Sequence, residues 1–466
     1  RVALRYLPNS NLTIDISAVI NKVTYDGLQG IAEESFNNGE FSVPLPFQIE
    51  NFVDSELYIG RIEYNASAFD IISLSSYNEF DALETFDVTG LFGPFNAFLE
   101  ILTTQENLSQ EFRIQSNNST DSAYRWIAGI NYFKTDDLIG QTGITGTPNN
   151  RMQSLATLFI SGEAENTSAF FSVDMDLGND FIFTLGGRYS RDDYERISND
   201  GTLFPGSNSA FTPSFTLKYK HSENVLLYST ISKGYRPGSV DISFVDLNPD
   251  DQFTSEYDPE TAWNYEIGAN ASLFEGKLVG RANLFFMDYK DIQSVFFIPP
   301  SNLSTVTTNG ASAEIYGAEI EANVYPSDNL SFDVNLGLLE TEFTSFADSP
   351  RGDLTGNELP YAPSVTIGIN GEYRTKLSDD LEGYVRAEFN RRSSQEGRND
   401  NNPVERQPGY DIVNLRAGVY YANVNIEVYG ENVFDEEYFT NRRPGPIVSV
   451  TPGSPATWGV RVTATF

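Results

Sequence analysis

The chain of 466 residues contains no cysteine and a single histidine, His221. Disulfide staples, thiolate catalysis and His/Cys transition-metal centres are therefore excluded, and carboxylates are the only metal ligands in quantity. Basic residues are also scarce. Lys+Arg number 30 against 65 Asp+Glu, a formal net charge of −35, which repels nucleic acid and suits a cation-rich medium. No apolar run approaches the roughly 20 residues that a membrane-crossing helix needs. The opening RVALRYLP lacks a charged n-region and an apolar h-region, so a signal peptide is expected to be absent or already removed.

Aromatic side chains are abundant, with 34 Phe and 25 Tyr, and they favour strands and membrane interfaces. Their spacing is period two. In TWGVRVTATF, Trp458, Val460, Val462, Ala464 and Phe466 share one face of a strand, while Gly459, Arg461, Thr463 and Thr465 share the other. LEGYVRAEFN alternates Leu381, Gly383, Val385, Ala387 and Phe389 with Glu382, Tyr384, Arg386, Glu388 and Asn390. NVNIEVYGEN and LTIDISAVIN alternate in the same way.

Very short polar turns, such as Gly178-Asn179, Glu223-Asn224, Glu275-Gly276 and Ala422-Asn423, alternate with long connections such as Tyr25 to Ser55, Asp136 to Gly162, Pro237 to Asp258 and Arg391 to Pro408. The strands are expected to run about 10 to 14 residues, and strands near 10 residues with short turns at one end and long loops at the other describe an outer-membrane barrel better than a soluble sandwich. Charged residues on the second face speak against a dry core. The expected fold class is all-β, a transmembrane antiparallel β-barrel. The chain contains about nineteen strands, and since a bacterial barrel closes with an even number, an odd count implies an N-terminally incomplete barrel over residues 1–466. Its first strands and a filling domain are expected to be missing, with 22 strands in the full protein.

Several segments, in order, resemble the TonB-dependent outer-membrane receptors. NLSQEFRIQSNNSTDSAYRWIAGINYF carries Ser109, Gln110, Glu111, Arg113, Trp126, Gly129 and Phe133 in matching places. Lys233 to Gly238, the Pro259-Glu260 to Gly268 stretch, IYGAEIEANVYPSDNL and IEVYGENVFDEEYF follow, so the resemblance covers Ser109 to Phe466. It implies cargo bound by external loops, an N-terminal plug, a TonB-type energy-coupling protein, barrel-assembly machinery that reads Trp458 and Phe466 as a terminal signal, and outer-membrane lipid around the wall. A surface lipoprotein is a further possible partner, and nucleic acid is not one. Glu266, Glu319 and Glu321 are expected to meet lumen arginines or a plug, and Gly238, Gly268 and Gly317 to permit bends or close approach. Family members that bind haem use loop histidines; none occurs here.

For cargo, the candidates are Arg391, Arg392, Arg398 and Arg406 in NRRSSQEGRNDNNPVER, with Arg442 and Arg443 in the next long loop and Tyr235 and Arg236 in the KGYRPG element. Guanidinium groups suit carboxylates and phosphates. The loop bearing Asp241, Asp246, Asp250, Asp251, Glu256, Asp258 and Glu260 favours calcium over anions, or serves only as a solvated face. No cofactor and no catalytic arrangement is expected. The function expected is energised uptake of a scarce nutrient, an iron-siderophore chelate ahead of cobalamin or an oligosaccharide. A passive diffusion porin and a structural or adhesion barrel are the alternatives.

Overall fold

The computed structural model describes residues 1–25, 31–32, 37, 51–87, 96–117, 123–147, 150–245, 248–297, 305–443 and 449–465. The first strands are β1 (Val2–Asn9), β2 (Leu12–Tyr25), the two-residue β3 (Ile31–Ala32), β4 (Asn51–Asn65), β5 (Phe69–Asp87), β6 (Asn96–Ser116), β7 (Tyr124–Thr147) and β8 (Asn150–Leu177). Next come β9 (Phe181–Ile197), β10 (Leu203–Ser222), β11 (Val225–Arg236), β12 (Ser239–Val245), β13 (Asn248–Tyr257), β14 (Glu260–Leu273), β15 (Leu278–Phe297) and β16 (Thr305–Ser327). The last are β17 (Leu330–Ser345), β18 (Val365–Ser378), β19 (Leu381–Arg392), β20 (Tyr410–Tyr421), β21 (Val424–Glu431), β22 (Phe439–Arg443), β23 (Ser449–Pro452) and β24 (Thr457–Ala464).

Nineteen of these form one antiparallel sheet in which each strand pairs with the next large strand along the chain. The count of about nineteen read from the sequence is the count observed. Strands β12–β13 and β3–β22–β23 make two small separate sheets. β1 pairs with β2 and β24 with β21; both run toward the short-turn end, and among the described residues no pairing joins them. Among the described residues, no helix is long and apolar enough to cross a membrane.

The register confirms the two faces. Val428 pairs with Ala417 and Val460, and Ile267 with Ser229 and Leu284, so apolar residues share one continuous outer band. Arg386 pairs with Arg416, and Glu427 with Arg461, on the opposite, inner face. Exposure agrees: Ile267, Leu284, Val428 and Val460 are all more than half exposed on the outside. A soluble sheet would bury that face; lipid must cover it here.

Three sequence expectations need correction. The stretch from Asp136 to Gly162 is a continued hairpin, since β7 and β8 run on past the apolar band to Thr147 and Asn150. The strands reach 28 residues where 10 to 14 were expected. Within Pro237 to Asp258, the chain folds as the β12–β13 hairpin.

The short-turn end uses left-handed backbone where it must: Gly178 has φ 76° and Gly276 φ 86°. Close approach is the reason for Gly317, where an added Cβ would collide with the carbonyl oxygen of Leu338 on β17, backbone that cannot yield. Gly268 leaves room for the Tyr228 ring, 2.5 Å from where a Cβ would stand. Gly317→Val is therefore expected to destabilise the folded barrel by about 1–3 kcal/mol through overpacking. A urea titration in lipid vesicles checks it; an unchanged midpoint would show that β17 has room to shift.

Candidate functional site

The inner face is a wall of ion pairs and aromatic rings. Near the terminal strands, Arg386 Nε lies 2.8 Å and Arg416 Nε 3.5 Å from Glu388, while Arg461 Nη1 lies 3.3 Å from Glu427. The Tyr384 hydroxyl donates to Glu427 at 2.6 Å, and Arg374 sits over the Tyr384 and Tyr420 rings at 5.6 and 5.1 Å. Such contacts fix long side chains against the wall and keep the lumen polar.

One sector differs. The Tyr228 hydroxyl donates to Glu266 at 2.6 Å, Asn283 Nδ2 donates to both Glu266 and Glu319 at 3.3 Å, and Arg281 Nη2 donates to Glu321 at 2.6 Å. Glu321 thus meets a lumen arginine as expected. Glu266 and Glu319 have only neutral donors, with no Lys or Arg in ion-pair contact among the described residues.

At the long-loop end, two connections are built as a fixed rim. Phe343 on β17 and Ala313 on β16 point inward, and residues 346–364 fold back over them. Phe343 N–H donates to Asn357 O at 2.8 Å, Gly356 N–H to Phe343 O at 2.8 Å, and Leu354 N–H to Phe346 O at 3.0 Å. Phe296, Val306, Ala311, Ala313, Phe343, Phe346 and Leu354 close into a buried apolar cluster. Burial of that many apolar side chains is worth several kcal/mol and holds the connection in one place.

Residues 393–409 lean on this platform. Gln395 and Gln407 exchange backbone hydrogen bonds at 3.0 and 2.9 Å and a side-chain bond at 2.9 Å, all buried. Tyr361 N–H donates to Glu396 O, Asn357 Nδ2 to Asn399 O, and Asn401 Nδ2 to Glu358 O, each at 2.9 Å. Gln407 Nε2 reaches Phe439 O on β22 at 2.8 Å.

Here the structure places most of the expected arginines. Arg398 Nε is 3.0 Å from Glu405 with only 17% and 11% of the two side chains exposed. Burial pushes the Glu405 carboxyl up and the Arg398 guanidinium down from their ordinary values. Arg406 Nε is 3.2 Å from Glu396, its Nη2 donates to Ser394 Oγ, and half of its side chain faces solvent. Arg392 Nη2 donates to Gln395 Oε1 at 2.6 Å, and Arg442 Nη1 to Arg406 O at 2.8 Å. Arg391 does not join them. Its register partners are Ile367 and Asp411 on the outer face, and its Nη1 lies 3.3 Å from Asp411. The cluster is thus Arg392, Arg398, Arg406 and Arg442, partly offset by its own carboxylates.

Elsewhere, the Tyr235 hydroxyl donates to Asp192 at 3.2 Å and Arg236 Nη1 lies 3.7 Å from Glu260, on a different part of the rim. Tyr265 is exposed on the outer face, and the Tyr438 ring lies tilted against Tyr410 with centroids 4.6 Å apart. Trp458 is 61% exposed on the outer face, packed over Gly430. Phe466 and the Arg443 side chain lie outside the described residues. In the acidic connection, Asp241 accepts from Thr307 N–H and Glu260 from Gln293 N–H. Among the described residues, no three carboxylates converge as metal ligands.

The apolar platform under the rim was missed in the sequence. The period-two pattern of β17 ends near Phe343, and the next apolar residues, Phe346 and Leu354, fall in a polar stretch with no period of their own.

A family model described as TonB dependent receptor-like, beta-barrel matches residues 7–433. The pesticin receptor of Yersinia pestis is 25% identical over 228 residues, 48% of this chain and 31% of that protein. The metal-pseudopaline receptor CntO of Pseudomonas aeruginosa is 24% identical over 290 residues, 60% of this chain and 37% of that protein. The chain spans about a third of the length of these curated relatives. Among solved structures, the ferric yersiniabactin uptake receptor FyuA from Yersinia pestis superposes with a TM-score of 0.82 at 16% identity, covering 99% of this chain and 69% of that one. The unliganded ferric citrate transporter FecA gives 0.76 at 15% identity, covering 98% and 69%. At these identities the structural likeness shows the fold.

Proposed function

The chain belongs to the TonB-dependent receptor-like β-barrel family, and from that premise we propose that it forms the wall of an outer-membrane receptor importing an anionic metal chelate with energy from a TonB-type coupling protein. It is a β-barrel of the Gram-negative outer membrane, and its family is one of transport receptors. The family match across residues 7–433 carries the reading. The relatives' names, which refer to ferric yersiniabactin, ferric citrate and metal-pseudopaline, support a chelate as the cargo class.

The rim adds a physical reason. Arg406 presents a half-exposed guanidinium at the long-loop end, on a connection that is already ordered, so little entropy is lost when a carboxylate binds. Glu266 and Glu319, which among the described residues accept only from neutral donors, suit a cationic occupant of the lumen, which fits a plug of the kind the family resemblance implies. Calcium at the acidic connections rests on charge alone, since among the described residues no three carboxylates converge.

The test is uptake of labelled iron chelates, cobalamin and oligosaccharides by cells with and without the gene, each measured with and without a protonophore. Gene- and energy-dependent uptake of an anionic chelate is the expected result; energy-independent leakage of all solutes would favour a porin. Arg406→Ala is expected to lower uptake of that chelate roughly 3- to 10-fold, the range for one partly exposed charge-assisted hydrogen bond. Arg391→Ala, facing outward, should leave it unchanged. The reverse pattern would remove the rim from cargo binding.

A further inference from the structure

Above the lipid band, the long strands β5 to β10 carry a second apolar surface on their outer face. Leu102 on β6, Leu138 on β7, Phe159 on β8, Ile197 on β9 and Leu203 on β10 share that face by register. Phe159, Ile197 and Leu203 are 46%, 40% and 49% exposed. Lipid cannot cover them. On β9 the apolar band ends at Tyr189, and Ile197 lies eight residues further out, about 26 Å along the strand at ~3.3 Å per residue.

Between band and patch lies an acidic collar. A cavity of about 390 Å³ on this face is lined by Glu79, Asp81, Glu106, Asp136, Glu163 and Glu195, together with Leu138 and Ile197. Among the described residues, Lys134, 2.9 Å from Glu163 and 3.5 Å from Asp136, and Arg196, paired with Asp137 of the same lining, are the bases that offset it. An exposed apolar patch beyond the reach of lipid marks a contact surface, and its border selects the partner by charge.

We infer that the outer face of the projecting β5–β10 blade docks a surface-exposed polypeptide with an apolar centre and a Lys/Arg-rich edge. A second copy of this chain does not fit, because it would set the same carboxylates against each other. Divalent cations shared with anionic lipopolysaccharide would satisfy the collar but leave Phe159 and Ile197 uncovered.

The experiment has two arms. In the full protein in native outer membranes, a photo-crosslinking amino acid replaces Phe159, with lipid-facing Phe171 as control. A discrete protein adduct from Phe159 whose crosslinked peptide is rich in Lys/Arg, lost in Glu79→Lys/Glu195→Lys, is expected. Adducts only with lipopolysaccharide or with a second copy, or an adduct indifferent to the charge reversal, overturn the inference. In the second arm, a 12-residue peptide of alternating Leu and Lys is titrated against the purified protein in detergent. Binding is expected to weaken at least tenfold in the charge-reversed variant and at least fivefold in Phe159→Ser/Ile197→Ser, with folding of each variant verified by its heat-modifiable gel shift. Loss with charge reversal alone would reduce the surface to unspecific attraction and sink the apolar contact.

Discussion

Ile267→Arg is expected to cost about 2–4 kcal/mol of folding stability in a bilayer, while Glu266→Gln, one residue earlier, should change it by less than about 1 kcal/mol. Ile267 is 56% exposed in the middle of the outer band on β14, between Ser229 and Leu284 of the neighbouring strands. A guanidinium there must either enter hydrocarbon or bend away toward a distant interface. Glu266 points into the aqueous lumen, where the neutral amide still accepts from the Tyr228 hydroxyl. Urea titrations of the two variants in short-chain phosphocholine vesicles separate the cases. Equal costs would mean that the outer band is packed against protein, and the membrane reading of the fold would go with it.

That contrast was legible in the sequence, because period two needs only the order of residue types. LEGYVRAEFN and TWGVRVTATF declare both faces unaided. The lengths of β7 and β8 were not legible. Beyond Lys134, the segment TDDLIGQTGITGT mixes apolar with small and turn-forming residues, and Gly140, Gly143 and Gly146 lower its strand propensity. Pairing with β6 and with β8 holds it extended, and pairing is a non-local fact. The rim was half legible. Four arginines within NRRSSQEGRNDNNPVER signal a cluster, and the adjacency of Arg391 and Arg392 in a strand already requires opposite faces. What no local pattern reveals is that Glu396 and Glu405, from the same segment, turn back to neutralise part of that charge.

Glu405→Lys should therefore be the most damaging single change at the rim, removing about 3–5 kcal/mol of local protection from residues 393–409, because it buries a second cation against the Arg398 guanidinium. Arg398→Met/Glu405→Leu should recover most of that loss, since two apolar side chains of similar size need no partner. Hydrogen exchange at the Gln395 and Gln407 amides, corrected for intrinsic rate, is the readout; both donate across the pair that closes the connection. The pH response follows from the same burial. Glu405 is raised above its ordinary value in the folded state, so its contribution is fully present below that ordinary value and is lost as pH rises through the raised one. Mild acidification from neutral should tighten this connection, and Glu405→Leu should abolish the response. Asp200, in the short β9–β10 connection, has the opposite sign: hydrogen bonds from Ser198 Oγ and Thr202 N–H hold it below the usual carboxylate range, so its turn loosens as pH falls through that lowered value. Two long-loop-end connections of one barrel should thus move in opposite directions on acidification. If both loosen together, the Arg398–Glu405 pair is solvated and the rim is not the dry, preformed platform from which a cargo site could be built.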